Sequence, residues 1–132
     1  MLIIDQNNLA DAFYDERRKI IVFKTKNILA NKNTDKIESL LKSVLEFSKE
    51  KNVIGEVVDL TNLRGNFNNV LGYLLQVYYP IMHENGMKRA AYVLSNDLLS
   101  LGLVQKICDD NKLVETKAFT NFQMAKKWVT GH

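Results

Sequence analysis

Apolar residues follow two different periods along the chain. Residues 8–15 hold Leu9, Ala10, Ala12, Phe13 and Tyr14 in imperfect alternation. Residues 19–26 open with Ile20-Ile21-Val22-Phe23, the β-branched and aromatic side chains that suit a pleated surface. A polar Glu16-Arg17-Arg18 turn lies between them, so the pair predicts an antiparallel hairpin. The spacing then changes to three and four. Ile37, Leu40, Leu41, Val44 and Leu45 predict a helix over 35–51, capped by Asn33, Thr34 or Asp35. Residues 53–60 are apolar almost throughout, the pattern of a strand covered on both faces. The polar segment 61–66 has no period and reads as a loop.

A broad apolar stripe follows over 67–85: Phe67, Val70, Leu71, Leu74, Leu75, Tyr78, Ile81 and Met82. Pro80 lies inside it, lacks a backbone donor and crowds the preceding turn, so a kink is expected near Gln76. Gly86 is placed to end this helix in the left-handed conformation. Residues 88–94 read as a buried strand and 97–109 as a helix with Leu98, Leu101, Val104 and Ile107 inward. Residues 114–119 read as a short strand, and 121–130 as a helix burying Phe122, Ala125, Trp128 and Val129. The order β-β-α-β-α-β-α-β-α predicts an α/β sandwich: a mixed sheet of about five strands, an N-terminal antiparallel hairpin followed by parallel βα units, with about four helices.

Length and composition narrow the function more than the fold. At 132 residues the chain predicts one domain, residues 1–132. Such a domain buries roughly two thirds of its unfolded surface and needs no staples. Cys108 is the single cysteine, and the histidines are His83 and His132, so disulfide frameworks and Cys- or His-rich metal sites are excluded. The net charge of +3 is spread among acids, as in Asp15-Glu16-Arg17-Arg18-Lys19, rather than gathered into the basic stripe of a nucleic-acid binder. No apolar run reaches the ~20 residues of a membrane span, and Met1-Leu2-Ile3-Ile4-Asp5 does not read as a signal peptide. A cytoplasmic protein without cofactor, metal or integral membrane association is expected.

The element order, together with Phe13-Tyr14-Asp15-Glu16 entering Lys19-Ile20-Ile21-Val22, Val57-Val58-Asp59-Leu60-Thr61, Tyr79-Pro80, Glu84-Asn85-Gly86-Met87-Lys88, Ala90-Ala91-Tyr92-Val93-Leu94, and Ala125 with Trp128, resembles the STAS domain of bacterial anti-sigma-factor antagonists. It is most similar to the small stand-alone STAS/SEC14-like, SpoIIAA-like proteins of the Bacteroidetes type. The resemblance spans nearly the whole chain and implies the SpoIIAA-like sandwich. In the antagonists, an Asp-Leu-Ser-like strand end leads into a loop whose serine is phosphorylated. Here Asp59-Leu60-Thr61 matches the strand end, but Asn62-Leu63-Arg64-Gly65-Asn66-Phe67 contains no serine. The phosphoserine switch is therefore not expected.

Ligands of open α/β sheets gather beyond the carboxyl ends of parallel strands. That rule selects Asp59, Thr61, Asn62, Arg64 and Asn66 after one strand, and Ser95, Asn96 and Asp97 after the next. Helix N-termini there would accept an anion, with Arg64 adding a planar fork. The same residues also read as helix caps and loop organisers. Asp59 has no histidine or second carboxylate near it in sequence, His83 reads as a surface residue near a helix C-terminus, and Cys108 as a small apolar side chain. No catalytic residue is assigned. Tyr73, Tyr78, Tyr79, Met82 and Met87 make the second helical segment aromatic. Either they form an exposed contact surface, or the Pro80 kink turns them into the core. The expected function is a non-enzymatic interaction module for a protein partner or a second copy. The SEC14-like resemblance implies the alternative, a carrier of a small apolar ligand or lipid with a cavity beneath the kinked helix.

Overall fold

A strand that the apolar period does not reveal starts the sheet. β1, Leu2–Gln6, pairs antiparallel with β2, Ala10–Asp15, with an irregular register between Ile3 and Asp5. Leu2 and Ile3 remain 51% and 54% exposed on this edge strand, so no alternation of buried and polar positions marks it. The structure, a computed structural model, describes residues 1–26, 32–65, 67–95 and 98–131, and all their side chains except those of 98–101. Among these residues the sheet has six strands rather than about five.

The predicted hairpin forms from β2 and β3, Ile20–Thr25. Asp15 fixes its turn by accepting the Arg18 backbone N–H at 3.1 Å, while its carbonyl accepts the Lys19 N–H at 2.7 Å. Helix α1, Thr34–Ser48, then crosses to β4, Gly55–Asp59, which pairs parallel with β3. Helix α2, residues 71–84, follows a 3-10 turn at Asn68–Val70 and leads to β5, Arg89–Val93. Helix α3, Leu98–Asp110, leads to β6, Glu115–Phe119, and α4, Phe122–Val129, closes the fold. The strands lie in chain order, antiparallel through β3 and parallel from β3 to β6.

The period of two along each strand sorts side chains between two cores. α1, α2 and α3 cover one face, where Leu40, Val44, Leu74, Met82, Val104 and Ile107 meet Ala12, Ile21, Ala90 and Tyr92. α4 covers the other, with Ala125 and Val129 against Ile20, Val22, Val57, Ala91 and Val93. Leu98 and Leu101, expected inward on α3, have side chains outside the described set. Gly86 ends α2 as expected, at φ 112, with Met87 N–H donating back to the Met82 carbonyl at 2.9 Å.

Gly55 lets α4 approach β4 closely. A Cβ there would stand 2.4 Å from Val129 Cγ1 and 2.9 Å from the backbone oxygen of Arg89. The β4–β5 ladder holds the second of these in place, so the clash cannot relax by a rotamer change alone. Gly55→Ala is expected to cost about 1–3 kcal/mol, the usual range for overpacking, read as a lowered urea midpoint at unchanged slope.

Candidate functional site

The centre of the sheet carries an acid. β4 has a strand paired on each side and helices over each face, yet its second residue is Glu56, 1% exposed. In register it stands between Ile21 of β3 and Ala90 of β5, facing the core beneath α1–α3. The small Ala90 leaves room beside it, and Tyr92, two residues further along β5, projects from the same face. An unpaired carboxylate in such a place costs several kcal/mol. It is stabilised here by hydroxyl donors from α2.

Those donors come from two consecutive residues, which a regular helix cannot easily aim at one target. In α-helical spacing Leu74 shares its face with Val77 and Tyr78. Here Val77 is 38% exposed, and Tyr79 has taken its place inside. The cause is a π turn over Leu74–Tyr78, in which the Tyr79 N–H donates to the Leu74 carbonyl five residues back. The wider turn carries fewer degrees per residue, so Tyr78 and Tyr79 both face the sheet. The π turn spans the position near Gln76 where a kink is expected, and π turns concentrate at functional positions.

Tyr78 Oη donates to Glu56 Oε1 at 2.6 Å, and Tyr79 Oη donates to Oε2 at 2.5 Å. Tyr92 Oη lies 2.5 Å from Tyr79 Oη. Because the Tyr79 hydrogen goes to the carboxylate, Tyr92 is the donor in that last bond. The two tyrosine rings of α2 meet edge to face at 5.1 Å. Burial raises the Glu56 pKa, and the bonds from Tyr78 and Tyr79 oppose it; the balance lies at about 7. Burial followed by the Glu56 charge pushes the Tyr78 and Tyr79 hydroxyls well above their ordinary value of 10.0, and Tyr92 follows for the same reasons. Cys108 of α3 stands near Tyr92; burial, then Asp109, raise its thiol above 9.0.

Glu56 and Tyr92 also form part of the wall of a cavity of about 70 Å³. Its other walls are mostly apolar side chains, Leu9, Phe23, Ile37, Leu40, Phe67 and Leu74 among them. Thr25, Leu60 and Leu63, at or just beyond the carboxyl ends of β3 and β4, line it as well. That is where ligands of open α/β sheets collect. Its volume is about half of the roughly 150 Å³ that admits benzene in an engineered core.

No protein-family model matches the chain, and no curated protein does. Among solved structures it is similar to an uncharacterised protein from the DUF3478 family, with a SpoIIAA-like fold, from Shewanella loihica PV-4. The two are 19% identical, with a TM-score of 0.59 over 95% of this chain and 98% of that one. The chain has a SpoIIAA-like fold.

Within this SpoIIAA-like fold, the residues selected from sequence fall into three groups. Asp59, Thr61 and Asn62 come together as a loop organiser. Asp59 Oδ1 accepts the Thr61 N–H at 3.0 Å and the Thr61 hydroxyl at 2.7 Å, and the Asp59 carbonyl accepts the Thr25 hydroxyl at 2.7 Å. Asn62 Nδ2 reaches the Thr25 carbonyl at 3.5 Å. Arg64 is exposed, Ser95 half-buried, and Asn66, Asn96 and Asp97 lie outside the described residues. Tyr73 is half-buried, and Tyr78, Tyr79, Met82 and Met87 are 0% exposed. The exposed Tyr/Met contact face is therefore absent, and the inward rotation is what the π turn produces. Glu56 and Tyr92, which do line the cavity, were not selected. The available signal was a lone acid inside the apolar run Val53-Ile54-Gly55-Glu56-Val57-Val58. Among the described residues, no His, Cys, Asp and Glu side chains converge as a metal site, and no helix is long and apolar enough to cross a membrane.

Proposed function

We propose that the chain is a non-enzymatic STAS-type module that takes a small, mainly apolar ligand into the cavity beside Glu56. The observation that carries this reading is an apolar cavity that has the fully buried Glu56 among its lining residues. Ligand sites commonly combine an apolar lining with a few placed polar groups and a titratable residue of shifted pKa. A purely structural core would be better served by an apolar residue at position 56, since replacing a buried ionic group with a hydrophobic one is often neutral or stabilising. Both carboxylate oxygens are held by tyrosines and Asp59 is held by Thr61, so neither acid is poised as a base against a nucleophile. That arrangement supports binding rather than catalysis. Methyl-resolved NMR under xenon pressure tests the reading. Methyl groups of Leu9, Ile37, Leu40 and Leu74 should shift saturably, and those of Val93 and Val129 beneath α4 should not. Uniform or absent shifts would remove the cavity as a binding site.

A further inference from the structure

The chain's charge is not shared out evenly along its length. Residues 116–132 hold three lysines, Lys117, Lys126 and Lys127, and no Asp or Glu, so residues 1–115 balance fifteen basic side chains against fifteen acidic ones. The whole formal excess of +3 therefore lies on β6 and α4. Lys117 projects to the α4 side of the sheet, because it pairs in register with Ala91 beneath that helix. Lys24 of β3 reaches the same side, with its Nζ 5.5 Å from the centre of the Phe122 ring. Acids at the border are already met: Glu115 lies 3.4 Å from Arg89, and Asp15 lies 3.1 Å from Arg18. Among the described residues, no carboxylate forms an ion pair with Lys24, Lys117 or Lys127. We infer that this side of the molecule docks on an anionic lipid surface, its lysines against headgroup phosphates and Met124 set into the apolar layer beneath.

Shape and chemistry select the lipid surface among anionic partners. Among the described residues α4 is the one helix packed on this face of the sheet, so it stands proud of it. It buries Ala125 and Val129. Helical spacing then sets Met124 beside Trp128 on one flank and Phe122 beside Lys126 on the other, with Lys127 on the outer crest. Met124 is 62% exposed, so an apolar side chain stands in water among the lysines. Single-stranded nucleic acid stacks its bases on open aromatic rings. Here Phe119, Phe122 and Trp128 each already carry a cation, Lys117, Lys24 and Arg89 respectively, at 5.0–5.5 Å from the ring centre. A defined acidic protein surface is best matched by the rigid fork of arginine. The arginine of this face is committed: Arg89 pairs with Glu115 and donates to the Trp128 carbonyl at 2.7 Å. What the face offers is lysines on flexible stems around a protruding apolar group, which matches a fluid layer of phosphates over hydrocarbon.

Co-sedimentation with vesicles tests this, using phosphatidylcholine alone and equal parts of phosphatidylcholine and phosphatidylglycerol. A lysine brought to an anionic leaflet strengthens binding roughly fivefold. The full chain should therefore prefer the anionic vesicles by about a hundredfold, and high salt should erase most of that preference. The double variant K126Q/K127Q should bind them about 25-fold more weakly. M124S should weaken binding about fivefold at unchanged salt dependence, through lost apolar contact. The control K106Q/K112Q removes the same charge from the end of α3 and the loop after it, on the far side of the sheet, and should bind as the unaltered chain does. Urea midpoints of all variants confirm that they fold; the substituted side chains lie at the surface, with Lys126 half-buried. Absent binding, equal binding to both kinds of vesicle, or an equal loss in the α3 control overturns the inference. Binding to soluble poly-glutamate without binding to anionic vesicles also overturns it, and turns this face toward an acidic protein.

Discussion

Urea unfolding should show the chain about 2.5 kcal/mol more stable at pH 5 than at pH 8 through Glu56 alone. Its folded pKa of about 7 lies above the ordinary 4.5, so between those values the folded state holds a proton that the unfolded state has released. Stability from this group is complete below 4.5, falls as pH rises, and is gone above about 7. At 1.36 kcal/mol per unit the full span is about 3 kcal/mol, most of it between pH 5 and 8. The sign is opposite to that of a salt-bridged acid. Asp15 is such an acid: burial raises its pKa, but its bonds to Arg18 outweigh this and bring it below 3.8, so it acts only at lower pH. In E56Q, which cannot ionise at this position, the pH dependence should shrink by the same about 2.5 kcal/mol. A wild-type curve that matches that of E56Q would mean that Glu56 reaches water.

Tyr79→Phe is expected to cost about 2–4 kcal/mol at pH 8. It removes a hydrogen bond to a charged group, worth roughly 1.5–3 kcal/mol, and leaves the Tyr92 hydroxyl without its acceptor. Tyr78→Phe removes only the first kind of bond and should cost less, about 1.5–3 kcal/mol. Both losses should be smaller at pH 5, where the carboxyl is protonated and repays less of the donors' worth. Each substitution also takes away a bond that lowers the Glu56 pKa, so the carboxyl should titrate above about 7 in either variant. Urea midpoints at the two pH values, with a carboxyl-carbon NMR titration of Glu56, check all of this. Equal costs at pH 5 and 8 would mean that the hydroxyls pack without supporting the charge.

The hairpin, the parallel βα units and the four helices were legible because their apolar positions recur with a period of two or between three and four over enough residues. β1 was not, because an edge strand that leaves Leu2 and Ile3 in solvent and only half buries Ile4 shows no alternation to mark it. The inward turn of Tyr79 was not, because the 3.6-residue period assumes a regular helix and the π turn changes the count. Loop residues such as Asp59 and Thr61 were legible as caps and organisers from residue type alone. Glu56 went unselected because the strand reading averages over its neighbours, and the acid is only conspicuous once β4 is known to be central. Its tyrosine partners come from separate elements, Tyr78 and Tyr79 from α2 and Tyr92 from β5, and only the parallel register of β4 with β5 and the packing of α2 bring them together.

The π turn also gives α2 a tolerance in chain length. It holds one residue more than a regular helix would use to present the same face. With one of its outward residues, Gln76 or Val77, deleted, and with Pro80 replaced by Ala to restore a backbone donor, Leu74 would stand three and four residues from the two tyrosines. That is the spacing a regular α-helix already places on one side. The tyrosine pair is thus compatible with two lengths of helix, and the loss of a single codon here, together with the replacement of Pro80, would leave the partners of Glu56 where they are.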